Sequence, residues 1–312
     1  MSMFSLLSCP LGTIKDARTA PYTAMTTKPP RTLKTLRRQI DETDDKLHSL
    51  LMQRAALVAE VGVAKQEEHA RVEVPVREAE ILRRLSGRHR GNLPVGALVR
   101  LWRELMGAAI ISQADFSVAV AAPDNDPGIW DLARDHYGSQ VPMTAYRSPN
   151  EVLRALAELS HDSGVIAAPA GDGDEPWWRG LAGAGDGPRI NARLPFAGRG
   201  NARGVHDAFV IGRAANGVGD RSLFVFETSG ELSRAALNTA LSSGSVAAVV
   251  VAQVRANDSA MALIDVDAPL TADDPRLAAL TAGLGKQLVH VAAVGSYAKP
   301  LPSVGDAARP AR

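Results

Sequence analysis

From Thr32 to about Ala70 the chain has no proline, and Leu33, Leu36, Ile40, Leu47, Leu50, Leu51, Leu57, Val58, Val61 and Ala64 recur at helical spacing. This pattern predicts one long amphipathic helix with an apolar stripe along one side. Arg54 and Lys65 stand in or beside that stripe. Cations in such a place are costly unless something anionic meets them. The two positions are eleven residues apart, close to three whole turns, so their side chains project from nearly the same face roughly 16 Å apart. Two long cations converging from either end can hold a small dianion, and a ligand site within a helical bundle is expected.

The helical pattern breaks near Val72 to Pro75 and resumes from Arg77 to Arg84. Gly91-Asn92-Leu93-Pro94 marks a turn, and Val95 to Gln113 forms a third apolar-periodic helix. Three helices with one very long member leave a stripe open in a monomer, so an antiparallel or intertwined homodimer is expected.

From Phe116 short β-rich runs alternate with helices. Phe116 to Ala121, Met143 to Tyr146 and Gly164 to Ala168 read as strands, separated by helices from Gly128 to Tyr137 and Pro149 to Leu159. This is a βαβαβ unit with a parallel sheet. Ile190 to Pro195 and Ala208 to Ile211 add two strands. The last segment runs strand Ser222 to Phe226, helix Leu232 to Leu241, strands Val246 to Val254 and Met261 to Val266, helix Pro275 to Leu284, and strand Leu288 to Val294. That βαββαβ order predicts a ferredoxin-like sandwich.

Across the 312 residues, 35 lysines and arginines balance 34 aspartates and glutamates, so no global charge draws the chain to nucleic acid or an anionic membrane. Asp41, Glu42, Asp44 and Asp45 also interrupt any basic face on the long helix. The single cysteine, Cys9, excludes an intramolecular disulfide framework and suits a reducing cytosol. Scattered histidines give no metal signature, and no apolar run is long enough to cross a bilayer. Residues 1–30 read as a loose tail rather than a signal peptide, with Met25 an alternative start, and 300–312 as a second tail.

Leu36-Arg37-Arg38-Gln39-Ile40-Asp41-Glu42-Thr43-Asp44, Leu50-Leu51-Met52-Gln53-Arg54, Val61-Gly62-Val63-Ala64-Lys65, Arg77-Glu78 and the terminal Gln113 together resemble the all-helical chorismate mutase class, over about Leu33 to Gln113. The resemblance implies an intertwined dimer that converts chorismate to prephenate without metal or cofactor. By it, Arg54 binds a substrate carboxylate and Arg37 reaches a carboxylate in the partner's site. Lys65 and Gln113 donate to the ether oxygen, Glu78 holds the ring hydroxyl, and Arg77 orients the site. Two positions depart from the family: Val74 stands where an aspartate is frequent, and Ala109 where serine is. Weaker substrate binding with retained chemistry is the expectation. Read without the resemblance, each of these residues is also compatible with an ordinary helix-surface role.

The remainder resembles bifunctional mutase–prephenate dehydratases with losses. Phe116 to Pro169 is similar to a first dehydratase lobe, but His206-Asp207-Ala208-Phe209 replaces the catalytic Thr-Arg-Phe, and the Glu-Asn-Ser segment is replaced near Ala170-Gly171-Asp172. Dehydration of prephenate is therefore not expected. Ser222 to Ala298 is similar to an ACT regulatory domain, with Ser229-Gly230-Glu231-Leu232 as its glycine-led loop. Its Glu-Ser-Arg-Pro motif is missing, so an aromatic amino-acid effector, phenylalanine, and a pure scaffold both stay open. Gly198 to Gly204 reads as a flexible connection rather than a phosphate loop, and Trp177 and Trp178 as a packing cluster.

The expected organisation is a multidomain chain: an all-α three-helix mutase domain at 31–115, a small α/β dehydratase-like lobe at 116–215, and a ferredoxin-like, ACT-like domain at 220–299. The expected activity is a cytoplasmic, homodimeric chorismate mutase. The alternative is a non-catalytic helical dimer that binds or regulates another shikimate-pathway enzyme.

Overall fold

A computed structural model of the chain describes residues 31–68, 70–123, 127–183, 185, 187–213, 218–229, 232–242, 244, 246–256 and 259–302. The expectations for 1–30 with Cys9 and Met25, for Gly230 and Glu231, and for 303–312 lie outside the described residues. Two compact units meet at residues 53 and 54. Among the described residues no helix is long and apolar enough to cross a membrane.

The first unit holds the N-terminal part of α1 (Leu33–Glu67), begun by Thr32, whose Oγ1 accepts from Thr35 N at 3.2 Å. Its Leu33, Leu36, Ile40, Leu47 and Leu50 are exposed, Leu50 at 61%.

The second unit begins with the last turns of α1 and continues with α2 (Pro75–Arg88) and α3 (Val95–Gln113). Pro75 sits in the first turn of α2, where its missing N–H costs nothing. Ala79 and Leu82 of α2 pack with Val99 and Met106 of α3 around Phe196 and Ala298.

Among the described residues nine strands follow: β1 (Val118–Ala121), β2 (Met143–Tyr146), β3 (Ser163–Ala167), β4 (Arg189–Leu194), β5 (Ala208–Gly212), β6 (Arg221–Ser229), β7 (Ala248–Ala256), β8 (Ser259–Val266) and β9 (Leu288–Tyr297). The helices between them are α4 (Gly128–Tyr137), α5 (Pro149–Ala157), α6 (Arg234–Ser242) and α7 (Pro275–Thr281). Ser148 and Asp274 cap α5 and α7 through their side chains, each followed by proline. The expected helix to Leu284 ends at Thr281 and gives way to 3-10 turns over Ala282–Gln287. Gly285 takes φ of 51° there, a conformation other residues resist.

Where two separate sheets are expected, the strands form one mixed sheet in the order β2-β1-β3-β5-β4-β9-β6-β8-β7. β1 pairs in parallel with β2 and β3, as the βαβαβ reading requires, while β5 returns antiparallel to both β3 and β4. The seam is a parallel contact of β4 with β9 at Ile190 and Gly295. Beyond it β9, β6, β8 and β7 are antiparallel neighbours. Side chains on β6 alternate between two cores: Phe224 and Phe226 face Leu237, Leu241, Leu277 and Leu280 of α6 and α7, whereas Leu223 and Val225 join the cluster of Trp177, Trp178 and Phe209. Both tryptophans are buried, and Trp177 Nε1 donates to Ala167 O at 3.2 Å. The connection from Gly198 to Gly204 is tied down by ion pairs of Arg199 with Asp207 (2.5 Å) and Arg203 with Asp131 (2.7 Å).

A Cβ at Gly295 would lie 2.3 Å from Ile190 O and 2.6 Å from Ile190 N. The approach of β9 to β4 depends on that missing atom. Gly295→Ala is expected to lower unfolding stability by about 1–3 kcal/mol. Gly171→Ala, which meets open space, should stay within about 0.5 kcal/mol of the parent in the same denaturant titration. Equal stabilities for the two variants would show that the seam tolerates a side chain.

Candidate active site on the helical segment

Within the second unit, the residues of α1 withdrawn from solvent are Arg54, Val58, Gly62 and Lys65. Their spacing of four, four and three places them on one stripe. The end of α3 lies against it. Gln113 Nε2 donates to Val58 O at 3.3 Å, and a Cβ at Gly62 would lie 2.9 Å from Gln113 Cγ. The glycine therefore lets the Gln113 side chain lie flat on α1, between the turns that carry Arg54 and Lys65. Among the described residues Gln113 Oε1 is buried without a hydrogen-bond partner.

Lys65 Nζ donates to Val72 O at 2.8 Å, closing the connection to α2. Burial lowers its pKa, and the Glu78 carboxylate opposes that shift. Burial also lowers the pKa of Arg54. Glu78 accepts from Arg103 Nη1 at 2.6 Å in a buried pair, the side chains being 12% and 4% exposed. Lys65, Glu78, Gln113 and the Arg54 stripe are thus brought together. Arg77 is not: its side chain is 66% exposed and pairs with Glu80 at 2.8 Å. Arg37 lies in the first unit and is exposed.

Periodicity and motif did not single out Arg103, and they marked Glu73 only as a neighbour that could compensate for Val74. Arg103 stands on the buried stripe of Val99, Met106 and Ile110, the same anomaly that drew notice to Arg54 and Lys65. Glu73, next to the divergent Val74, turns its carboxylate to Tyr137 Oη (2.8 Å) and Ser163 Oγ (2.6 Å), both of which donate to it. Its carboxyl is pushed up to about 7, first by burial and then by the charge of Glu78.

That shift has a sign. With a folded-state value above the ordinary 4.5, the native state keeps a proton that the unfolded chain has released, so this stabilisation is complete below about pH 4.5 and is lost as pH rises through about 7. Glu73→Gln is expected to flatten that decline, raising the urea midpoint at about pH 8 relative to the parent while changing it little at about pH 4. Parallel pH profiles for the two proteins would count against a proton held at Glu73.

The sequence model of a family described as chorismate mutase type II matches residues 36–114. A bifunctional chorismate mutase/prephenate dehydratase from Pseudomonas aeruginosa is 30% identical over 43% of this chain and 38% of its own length. One of the same description from Aquifex aeolicus is 33% identical over the same shares. The chain thus spans about two fifths of the length of the curated relatives it matches. A solved prephenate dehydratase from Streptococcus mutans, 13% identical, overlays 59% of this chain and 99% of its own with a TM-score of 0.38, a likeness too loose to carry weight. Residues 36–114 are thus similar in sequence to the chorismate mutase type II family.

Proposed function

We propose that the chain is a chorismate mutase, rearranging chorismate to prephenate at a site built on α1, α2 and α3. The observation that carries this reading is the gathering of Lys65, Gln113 and Glu78 beside the Arg54 stripe, within the segment that matches the family. A flexible dianion has to be folded until the two carbons to be joined lie within roughly 3.5 Å, which binding alone can accomplish. Arg54 is the proposed carboxylate anchor. Breaking the carbon–oxygen bond drives negative charge onto the ether oxygen, where the Lys65 ammonium and the Gln113 amide stabilise the transition state more than the substrate. Both donors rest on backbone carbonyls, Val72 O and Val58 O, and substrate would take the place of those weak anchors. Glu78 is the proposed acceptor for the ring hydroxyl, positioned by Arg103. Arg77 is assigned at most an orienting role from the helix surface, and Arg37 is proposed to serve the partner's site.

The proposed assembly is a homodimer that covers the exposed apolar residues of α1. The division into mutase domain, dehydratase-like lobe and ACT-like domain is retained as a proposal, supported at the C-terminal end by the strand order β9-β6-β8-β7 with α6 and α7 on one core. Loss of dehydratase activity is inferred from Asp207, which stands in the replaced catalytic stretch and is held by Arg193 and Arg199. Phenylalanine binding at the ACT-like part stays open beside a scaffold role. A cytosolic setting accords with the single cysteine.

A second reading, a non-catalytic dimer that binds another enzyme of the pathway, draws on the internal hydrogen bonds already made by Lys65 Nζ and Gln113 Nε2. Following chorismate loss and prephenate formation separates the two. Lys65→Ala is expected to lower kcat by about 10²–10³, and the parent's rate should fall at alkaline pH below the ordinary lysine range because Lys65 is depressed. Equal turnover in parent and variant would leave the binding-only reading. For the assembly, Leu47→Glu with Leu50→Glu should shift the sedimentation coefficient from dimer to monomer, and an unchanged dimer would place the interface elsewhere.

A further inference from the structure

A cavity of about 430 Å³ opens beside the connection from α1 to α2; neither Lys65 nor Gln113 lines it, though Lys65 Nζ donates to the carbonyl of Val72, which does. Its volume falls within the usual range for small-molecule sites. Arg71 and Arg213 both line it. Among the described residues neither guanidinium has a hydrogen bond or an ion pair. The acids on the same wall are committed elsewhere: Asp162 Oδ2 accepts from Ser117 N at 3.0 Å, and Glu73 takes the hydroxyls of Tyr137 and Ser163. His161 is engaged at both ring nitrogens, by Ser117 Oγ and Tyr146 Oη. Asn191 Nδ2 fixes the Arg213 backbone, donating to its carbonyl at 3.2 Å. Two cations therefore share a cavity whose two acids, Glu73 and Asp162, are turned to other donors and ion-pair with neither arginine, an arrangement that leaves both guanidinium groups able to take an anion between them.

Phe116, Leu156, Leu159 and Pro188 give the same lining an apolar part. Leu159 adds an independent sign. It ends the turn after α5 at φ of 58°, a position where helices ordinarily place glycine. The turn closes through Ser160 N to Ala155 O at 3.0 Å and a leucine in it carries a backbone strain that glycine would not; its side chain lines the cavity while remaining 63% exposed.

We propose that this cavity binds a small carboxylate with an aryl body, the carboxylate between Arg71 and Arg213 and the ring against Phe116, Leu156 and Leu159. The site is separate from the mutase reading and does not rest on it. Calorimetry on the full chain with 3-phenylpropanoate is the test, with the uncharged 3-phenylpropanamide and inorganic phosphate as comparators. Saturable binding of the carboxylate is expected, with both comparators weaker by about tenfold or more. Arg71→Gln with Arg213→Gln should weaken it by at least about tenfold. Leu159→Gly should weaken it while leaving the thermal midpoint equal or higher, since the strain is relieved. No heat from the carboxylate, equal affinity for phosphate, or binding undiminished in the double arginine variant would each overturn the proposal.

Discussion

The buried pair between Arg103 and Glu78 is the interaction on which the helical site turns. An arginine on the apolar stripe of α3 is tolerable only with a fixed counter-charge, and Glu78 supplies it across the α2–α3 contact. The Arg103 guanidinium also lies 5.6 Å from the centroid of the Phe196 ring. Beside it His136 is buried without a partner among the described residues, its pKa held well below the ordinary value by burial and by the charge of Arg103. That histidine is neutral. Breaking such a pair typically costs about 3–5 kcal/mol because one charge is left stranded. The same Glu78 charge supports the Lys65 ammonium and retains the proton on Glu73. Burial is the larger influence on both neighbours, and this one carboxylate acts on each in addition to it.

A second polar cluster does comparable work at the seam of the sheet. Asp265, almost fully buried on β8, accepts from Arg221 at 2.9 Å and from Tyr297 Oη at 2.5 Å, and lies 3.8 Å from Arg193. Arg193 belongs to β4 and Tyr297 to β9, so these contacts span the strands that meet at Ile190 and Gly295. The Tyr297 hydroxyl is pushed up to about 12, first by burial and then by Asp265, so it stays a donor. Gly295 supplies the close approach and Asp265 the specificity of what approaches.

Local signals carried much of this architecture. Val95 to Gln113 and Met143 to Tyr146 coincide with α3 and β2, because Pro94 starts one and a short alternation bounds the other. The start of α2 moves from Arg77 to Pro75 since proline, read as a breaker, is favoured in a first helical turn. The continuity of the sheet was not legible. It depends on one parallel contact between segments far apart in sequence, and neither Ile190 nor Gly295 announces its partner. In the site, the spacing of Arg54 and Lys65 on one stripe was readable from helical periodicity alone. The engagement of Glu73 was not, because Tyr137 and Ser163 reach it from α4 and β3. Arg103 could have been found by the rule that singled out Arg54.

The arginines of the second unit separate into two classes, and the separation has physical content. Arg83, Arg100, Arg103, Arg193, Arg199, Arg203, Arg221 and Arg234 each face an aspartate or glutamate within ion-pair distance. In a chain whose acids and bases nearly cancel, most cations near the fold's interior have been given partners. Arg54 and Lys65 on α1, and Arg71 and Arg213 at the cavity, have no ion pair among the described residues. Burial depresses the pKa of Arg54, Lys65 and Arg71, and at Arg71 the charge of Arg213 adds to it. Holding a partly desolvated cation without an ion-paired anion costs stability that a bound ligand can return. The fold keeps that cost in two places, one on the mutase-like helices and one beside them, and at both the missing charge is the kind a carboxylate supplies.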